Sequence, residues 1–126
     1  MGNELFERGL EVRRRIRGAA ETDRAFAEAD EFSRPLEEVV TEYCYGAIWS
    51  RPGLAPKIRS MLNIAMMSAL NRPAELRENL RGALEQGVSR EEIVEILLQA
   101  NVYCGSPTGV EGFRAMREVF AEVPAR

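Results

Sequence analysis

Apolar residues in this chain recur at helical spacing, and the strict alternation of a half-buried strand is weak throughout, which confines the chain to an all-α fold. The clearest stretch follows Ser33, which predicts a helix start, with Pro35 in its first turn. Leu36, Val39, Val40, Tyr43, Cys44, Ala47 and Ile48 then fall at i, i+3, i+4, i+7, i+8, i+11 and i+12. This spacing predicts one apolar stripe along one helix. Ser50-Arg51-Pro52-Gly53 ends it by turn chemistry. From Pro56 the pattern returns as Ile58, Met61, Leu62, Ala65, Met66, Ala69 and Leu70, with Ile64 and Met67 on the opposite side. A helix apolar all round is buried on both sides. In so short a chain, the second burial is expected against another subunit.

The remaining helices are marked by their ends. Leu5, Leu10 and Ile16 line a first helix from Asn3 to about Arg17, and Gly18 closes it. Thr22 to Phe32 reads as a short helix or an ordered connector. Asn71 and Pro73 open a further helix lined by Leu76, Leu80, Ala83 and Leu84, which Gly87 ends. Ser89 and Glu92 form a capping box for a helix carrying Ile93, Ile96, Leu97 and Ala100. Cys104-Gly105-Ser106-Pro107 breaks the chain before a last helix, about Thr108 to Glu122, with Val110, Phe113, Val119 and Phe120. With 126 residues and no internal repeat or linker, the expectation is a single domain over 1–126. Its architecture is a compact bundle of about six helices.

Composition narrows the function. A net charge of -3 gives no global attraction to nucleic acid or to an anionic membrane. Lys57 is the only lysine among 17 basic residues, so arginine dominates. There is no histidine, which removes the commonest general base and the commonest metal ligand together. Two cysteines, Cys44 and Cys104, make neither a disulfide framework nor a zinc site. The first residues lack the apolar core of a signal peptide, and no run approaches membrane-spanning length. The expected compartment is the cytosol.

An ordered series of segments resembles the carboxymuconolactone decarboxylase family. It begins with Gly9-Leu10-Glu11-Val12-Arg13-Arg14, Thr41-Glu42-Tyr43-Cys44-Tyr45-Gly46 with Trp49, and Arg51-Pro52-Gly53-Leu54. It continues with Arg59-Ser60, Ala69-Leu70-Asn71-Arg72-Pro73, Glu75-Leu76-Arg77 and Gly82-Ala83-Leu84. Gly87-Val88, Glu91-Glu92-Ile93 and Val102-Tyr103-Cys104-Gly105-Ser106-Pro107 complete it. No single segment is diagnostic; their order along nearly the whole chain is. The resemblance implies an orthogonal, alkylhydroperoxidase-D-like helical bundle and a homo-oligomer, trimer or hexamer. It also implies no cofactor and no metal. The implied reaction is decarboxylation of 4-carboxymuconolactone in protocatechuate breakdown, the β-ketoadipate route. Loss of carbon dioxide there leaves an electron pair that the conjugated lactone takes up as a dienolate. The protein has to bind a small anionic organic substrate, stabilise the dienolate oxygen and return a proton to carbon.

Two departures from the family pattern bear on that chemistry. The family's Glu-Leu-x-x-His segment is here Glu75-Leu76-Arg77-Glu78-Asn79. Asparagine donates a hydrogen bond but does not shuttle a proton near neutral pH. Tyr45 stands where tryptophan is common, which reshapes a pocket wall. The alkylhydroperoxidase branch uses a glutamate, a Cys-x-x-Cys pair and a histidine. Glu92 and Cys104 match, but Pro107 replaces the resolving cysteine and Glu111 the histidine. Disulfide cycling is thereby disfavoured.

The candidate catalytic residues are Glu42 as acid or base, Asn79 and Cys104. The candidate substrate-binding residues are Tyr45, Trp49, Arg51, Arg59 and Tyr103. Glu38, Glu42, Tyr45 and Trp49 share a face that reads as a pocket wall or subunit interface, against a solvated face with stray aromatics. Arg51 and Arg59 are candidates to clamp a carboxylate bidentately, against ordinary surface ion pairs. Asn79 has a plain surface alternative, and Cys104 that of a buried structural thiol. Tyr103 either bonds a substrate oxygen or packs, and Glu92 either serves a site or only completes its capping box. Three functions compete. The first is the cofactor-free lyase. The second is a diverged member catalysing isomerisation, cyclisation or dehydration of a related acid or lactone in a biosynthetic pathway. The third is a non-catalytic binding subunit.

Overall fold

The computed structural model describes residues 2–124. It contains seven α-helices and one π-helical segment: α1 Gly2–Arg17, α2 Ala19–Glu28, α3 Arg34–Val39, the π-helix Val40–Trp49, α4 Pro56–Ala69, α5 Pro73–Glu85, α6 Arg90–Cys104 and α7 Ser106–Glu122. Strands are absent among the described residues. No helix there is long and apolar enough to cross a membrane. The chain divides into two compact units, Met1–Leu54 and Ala55–Arg126.

In the N-terminal unit α1 packs chiefly against the π-helix. The two backbones nearly touch. A Cβ placed on Gly9 would lie 1.9 Å from the Thr41 carbonyl oxygen, and one on Gly46 would lie 2.6 Å from that of Leu5. Only residues without side chains permit this crossing. It brings Val12 and Ile16 of α1 onto Tyr45, with Val40 and Trp49 flanking them. The apolar stripe over residues 36–48 does not line this core. Leu36 and Tyr43 are 63% and 58% exposed, whereas Thr41, Tyr45 and Gly46 are buried. The segment Val40–Trp49 is also wound as a π-helix. Ser50 N–H bonds the Tyr45 carbonyl at 3.1 Å, an i→i−5 link. Leu36, Val39, Tyr43, Cys44 and Ile48 are all exposed, so the stripe stays on one side, and that side faces away from α1.

The short second helix is real but begins earlier than expected, and the turn after it is set by Asp30. Its carboxylate accepts from the Phe32 and Ser33 N–H groups at 2.9 and 2.8 Å. Ser33 accordingly caps nothing with its side chain; its hydroxyl accepts from Asp30 N–H instead.

The C-terminal unit is a four-helix set in which α4 packs on α5 and α6, and α7 on α5 and α6. Ile64, Leu80, Ile93, Leu97 and Val119 are its largest fully buried apolar side chains. Each contributes about 1.5–3 kcal/mol through burial. The capping box forms as the spacing predicts. Glu92 N–H donates to the Ser89 hydroxyl at 3.0 Å, and Ser89 N–H to the Glu92 carboxylate at 2.9 Å. Gly105, at φ 100, separates α6 from α7 in a conformation that L side chains rarely adopt. On α4, Ile64 carries the buried side, while Ile58, Leu62, Met66 and Leu70 are left exposed. The prediction of two apolar sides therefore holds within this unit, and one of them faces outward.

Candidate functional site

In the N-terminal unit the candidate residues sit on or beside the π-helix. Tyr45 is 6% exposed, and its ring stacks on Trp49 with centroids 6.3 Å apart. Its hydroxyl accepts from Arg17 Nε at 2.9 Å. Arg13 stands over the Tyr45 and Phe26 rings at 5.8 and 5.5 Å. The same guanidinium donates to the Thr41 hydroxyl at 3.0 Å and to the Glu37 carboxylate at 2.8 Å. The Tyr45–Trp49 face is thus built on two arginines of α1 that periodicity alone did not single out. Their signal was the arginine-rich run Arg13-Arg14-Arg15-Ile16-Arg17, four positively charged residues in five, two of them turned inward. Glu42 is half-buried, and Glu38 on the same helical face is exposed. Arg51 lies exposed in the turn that follows, its N–H bonded to the Ile48 carbonyl at 3.0 Å.

In the C-terminal unit Arg59 is half-buried in the first turns of α4. One helical turn on, Asn63 donates from Nδ2 to Asn79 Oδ1 at 3.2 Å. Asn79 in turn donates from Nδ2 to the Glu75 carbonyl at 2.8 Å. Asn63 was not anticipated. The available signal was a polar amide four residues after Arg59 in a helix whose neighbouring positions are largely apolar. Tyr103 and Cys104 lie together at the end of α6, both exposed, Tyr103 at 82%. The buried-thiol alternative for Cys104 is therefore set aside. Glu92 is occupied by the capping box and by Lys57, 3.2 Å away. The Ser89 backbone N–H first, and Lys57 second, hold its carboxyl below the usual glutamate range. A shallow groove of about 560 Å³ runs past it, lined among others by Met61, Glu91, Glu95, Ile96 and Gln99.

Helices are the only regular elements among the described residues, which makes this an all-α protein. The chain belongs to the carboxymuconolactone decarboxylase family, whose model matches residues 34–118. It is 39% identical over 107 residues to the nitrosuccinic acid decarboxylase of Metarhizium robertsii, covering 85% of this chain and 75% of that one. It is 32% identical over 120 residues to the 4-carboxymuconolactone decarboxylase of Acinetobacter baylyi, covering 95% of this chain and 90% of the relative. Both relatives are named as decarboxylases, which supports a lyase-type enzyme at the level of reaction class.

Proposed function

We propose that this protein is a cytoplasmic, cofactor-free carboxy-lyase acting on a small carboxylated unsaturated lactone. The observation that carries the reading is family membership together with a named 4-carboxymuconolactone decarboxylase aligned along 95% of the chain. The chemistry needs no added electron sink. As the carbon–carboxylate bond breaks, carbon dioxide leaves and its electron pair passes into the conjugated lactone as a dienolate. A proton then adds to carbon. Arg51 and Arg59 are proposed as carboxylate binders. Glu42 is the proposed acid–base group, supported by its half-buried place on the π-helix. Tyr45, Trp49 and Tyr103 are proposed to contact the substrate, Asn79 to orient it, and Cys104 to lie near the reacting carbon. The exposed apolar side of α4, Ile58, Leu62, Met66 and Leu70, supports assembly of identical subunits into a trimer or hexamer.

A second reading is favoured by the 39% identity to the nitrosuccinic acid decarboxylase and by the absence of histidine. When the departing carboxylate stands beside a nitro group, the electron pair settles on the nitro oxygens as a nitronate. Such an anion is far more stable than a dienolate, so the reaction demands less of a protein proton donor. Purified protein incubated with 4-carboxymuconolactone and, separately, with nitrosuccinate tests both readings by carbon dioxide release. Ultraviolet absorbance follows the lactone. Release from the lactone supports the first reading; release from nitrosuccinate alone supports the second; release from neither rejects both. Asn79→His sharpens the comparison, because gain of lactone decarboxylation would mark histidine loss as the cause of diversion. Light scattering giving a monomer mass would reject the oligomer.

A further inference from the structure

We infer that Asn63 is the amide that meets the substrate, and that Asn79 is a positioning residue acting through it. The inference rests on the decarboxylase reading above and adds a residue to it. A backbone carbonyl only accepts, so the contact with Glu75 fixes the nitrogen of Asn79 toward that carbonyl. The Asn79 oxygen is then left facing α4, where it takes an N–H of Asn63. This sets the polarity of the whole relay: Asn63 N–H to Asn79 oxygen, Asn79 N–H to Glu75 carbonyl. Asn79 is committed on both its oxygen and its nitrogen. Asn63 keeps a second N–H and its Oδ1, for which no other partner occurs among the described residues. It stands one turn along α4 from Arg59, on the same helical side, and both are half-buried. A charged guanidinium and an uncharged amide are thus placed side by side. The pair suits a substrate carrying a carboxylate and a second oxygen, the carbonyl or nitro oxygen onto which charge moves. The Asn63 N–H donates to that second oxygen without giving up its proton, so it stabilises the developing anion.

The test uses the acid that the wild-type protein decarboxylates, with Asn63→Leu, Asn79→Leu and the double variant. Thermal midpoints check folding, and Asn63→Ser serves if the leucine variant fails to fold. Loss of the Asn63 contact is expected to lower kcat/KM about tenfold, and loss of Asn79 less. On this inference the double variant matches Asn63→Leu alone, whereas two independent roles would multiply. Activity of the Asn63 variants within about twofold of wild type, or multiplied losses in the double variant, would overturn the inference while leaving the decarboxylase reading standing. A wild-type protein that releases carbon dioxide from neither acid removes that reading, and the inference with it.

Discussion

Replacing Gly9 with alanine sets two opposed effects against each other, and the structure decides the sign. In an exposed helix, alanine in place of glycine stabilises by about 1 kcal/mol. At Gly9 the new Cβ would meet the Thr41 carbonyl oxygen at 1.9 Å and its carbon at 2.8 Å, where ordinary contact begins at 3.4 Å. The obstacle is backbone, which cannot rotate aside. Helix α1 and the π-helix must therefore part by about 1.5 Å locally, the gap between those two distances. Overpacking of this kind costs about 1–3 kcal/mol. The separation also stretches the 3.0 Å bond from Arg13 to Thr41, worth about 1 kcal/mol. The net expectation is a loss of about 2 kcal/mol, or about 6–8 °C in thermal midpoint. Circular dichroism melting gives the midpoint, and amide hydrogen exchange shows whether the loss concentrates in residues 4–54. Gly53→Ala is the control, since nothing lies within 4 Å of its added Cβ. A Gly9→Ala protein as stable as wild type, or more stable, would refute the backbone contact.

Arg13→Met removes the Glu37 ion pair, the Thr41 bond and two ring contacts, leaving Glu37 alone; a loss of about 2–4 kcal/mol is expected by urea denaturation. Adding Glu37→Leu should recover part of that loss, and a purely additive further loss would contradict the pairing. Glu92 titrates below the usual glutamate range when folded, so its contribution is complete above the unfolded value and is lost as pH falls through the folded one. Glu92→Gln should therefore flatten the acid side of the stability profile, with urea midpoints at about pH 7 and about pH 3 as the comparison; equal acid losses in both proteins would count against it. Arg90 donates to the Val123 carbonyl at 2.7 Å and lies 4.5 Å from the Phe120 ring centroid, closing the end of α7. Arg90→Ala should cost about 1–2 kcal/mol by thermal melting, and Arg90→Lys, lacking the planar fork, should restore only part of it.

Local chemistry made most helices readable from the chain. Ser89 and Glu92 sit three residues apart, and their reciprocal bonds form as that spacing requires. Pro56, Pro73 and Pro107 each occupy the first turn of a helix, where the missing N–H costs nothing. The lack of histidine and the ordered family segments were likewise legible without coordinates. The apolar spacing over residues 36–48 was legible, but not which side would be covered: α1 settles on Thr41, Tyr45 and Gly46 instead. The candidate residues were legible by type and by resemblance, yet Arg13, Arg17 and Asn63 went unnoticed because their partners lie far along the chain. Arg13 reaches Thr41 across 28 residues and Asn63 reaches Asn79 across 16.

The sequence by itself determined where most helices begin and end, that the class is all-α, and that any proton transfer here proceeds without imidazole. Only the tertiary structure decided which side of each helix is buried, that Gly9 and Gly46 form a backbone crossing, and which amide keeps hydrogen-bonding capacity to spare. The division has a physical reason. Helix ends are set by hydrogen bonds spanning a few residues, whereas burial and side-chain pairing depend on which distant segment arrives on which face.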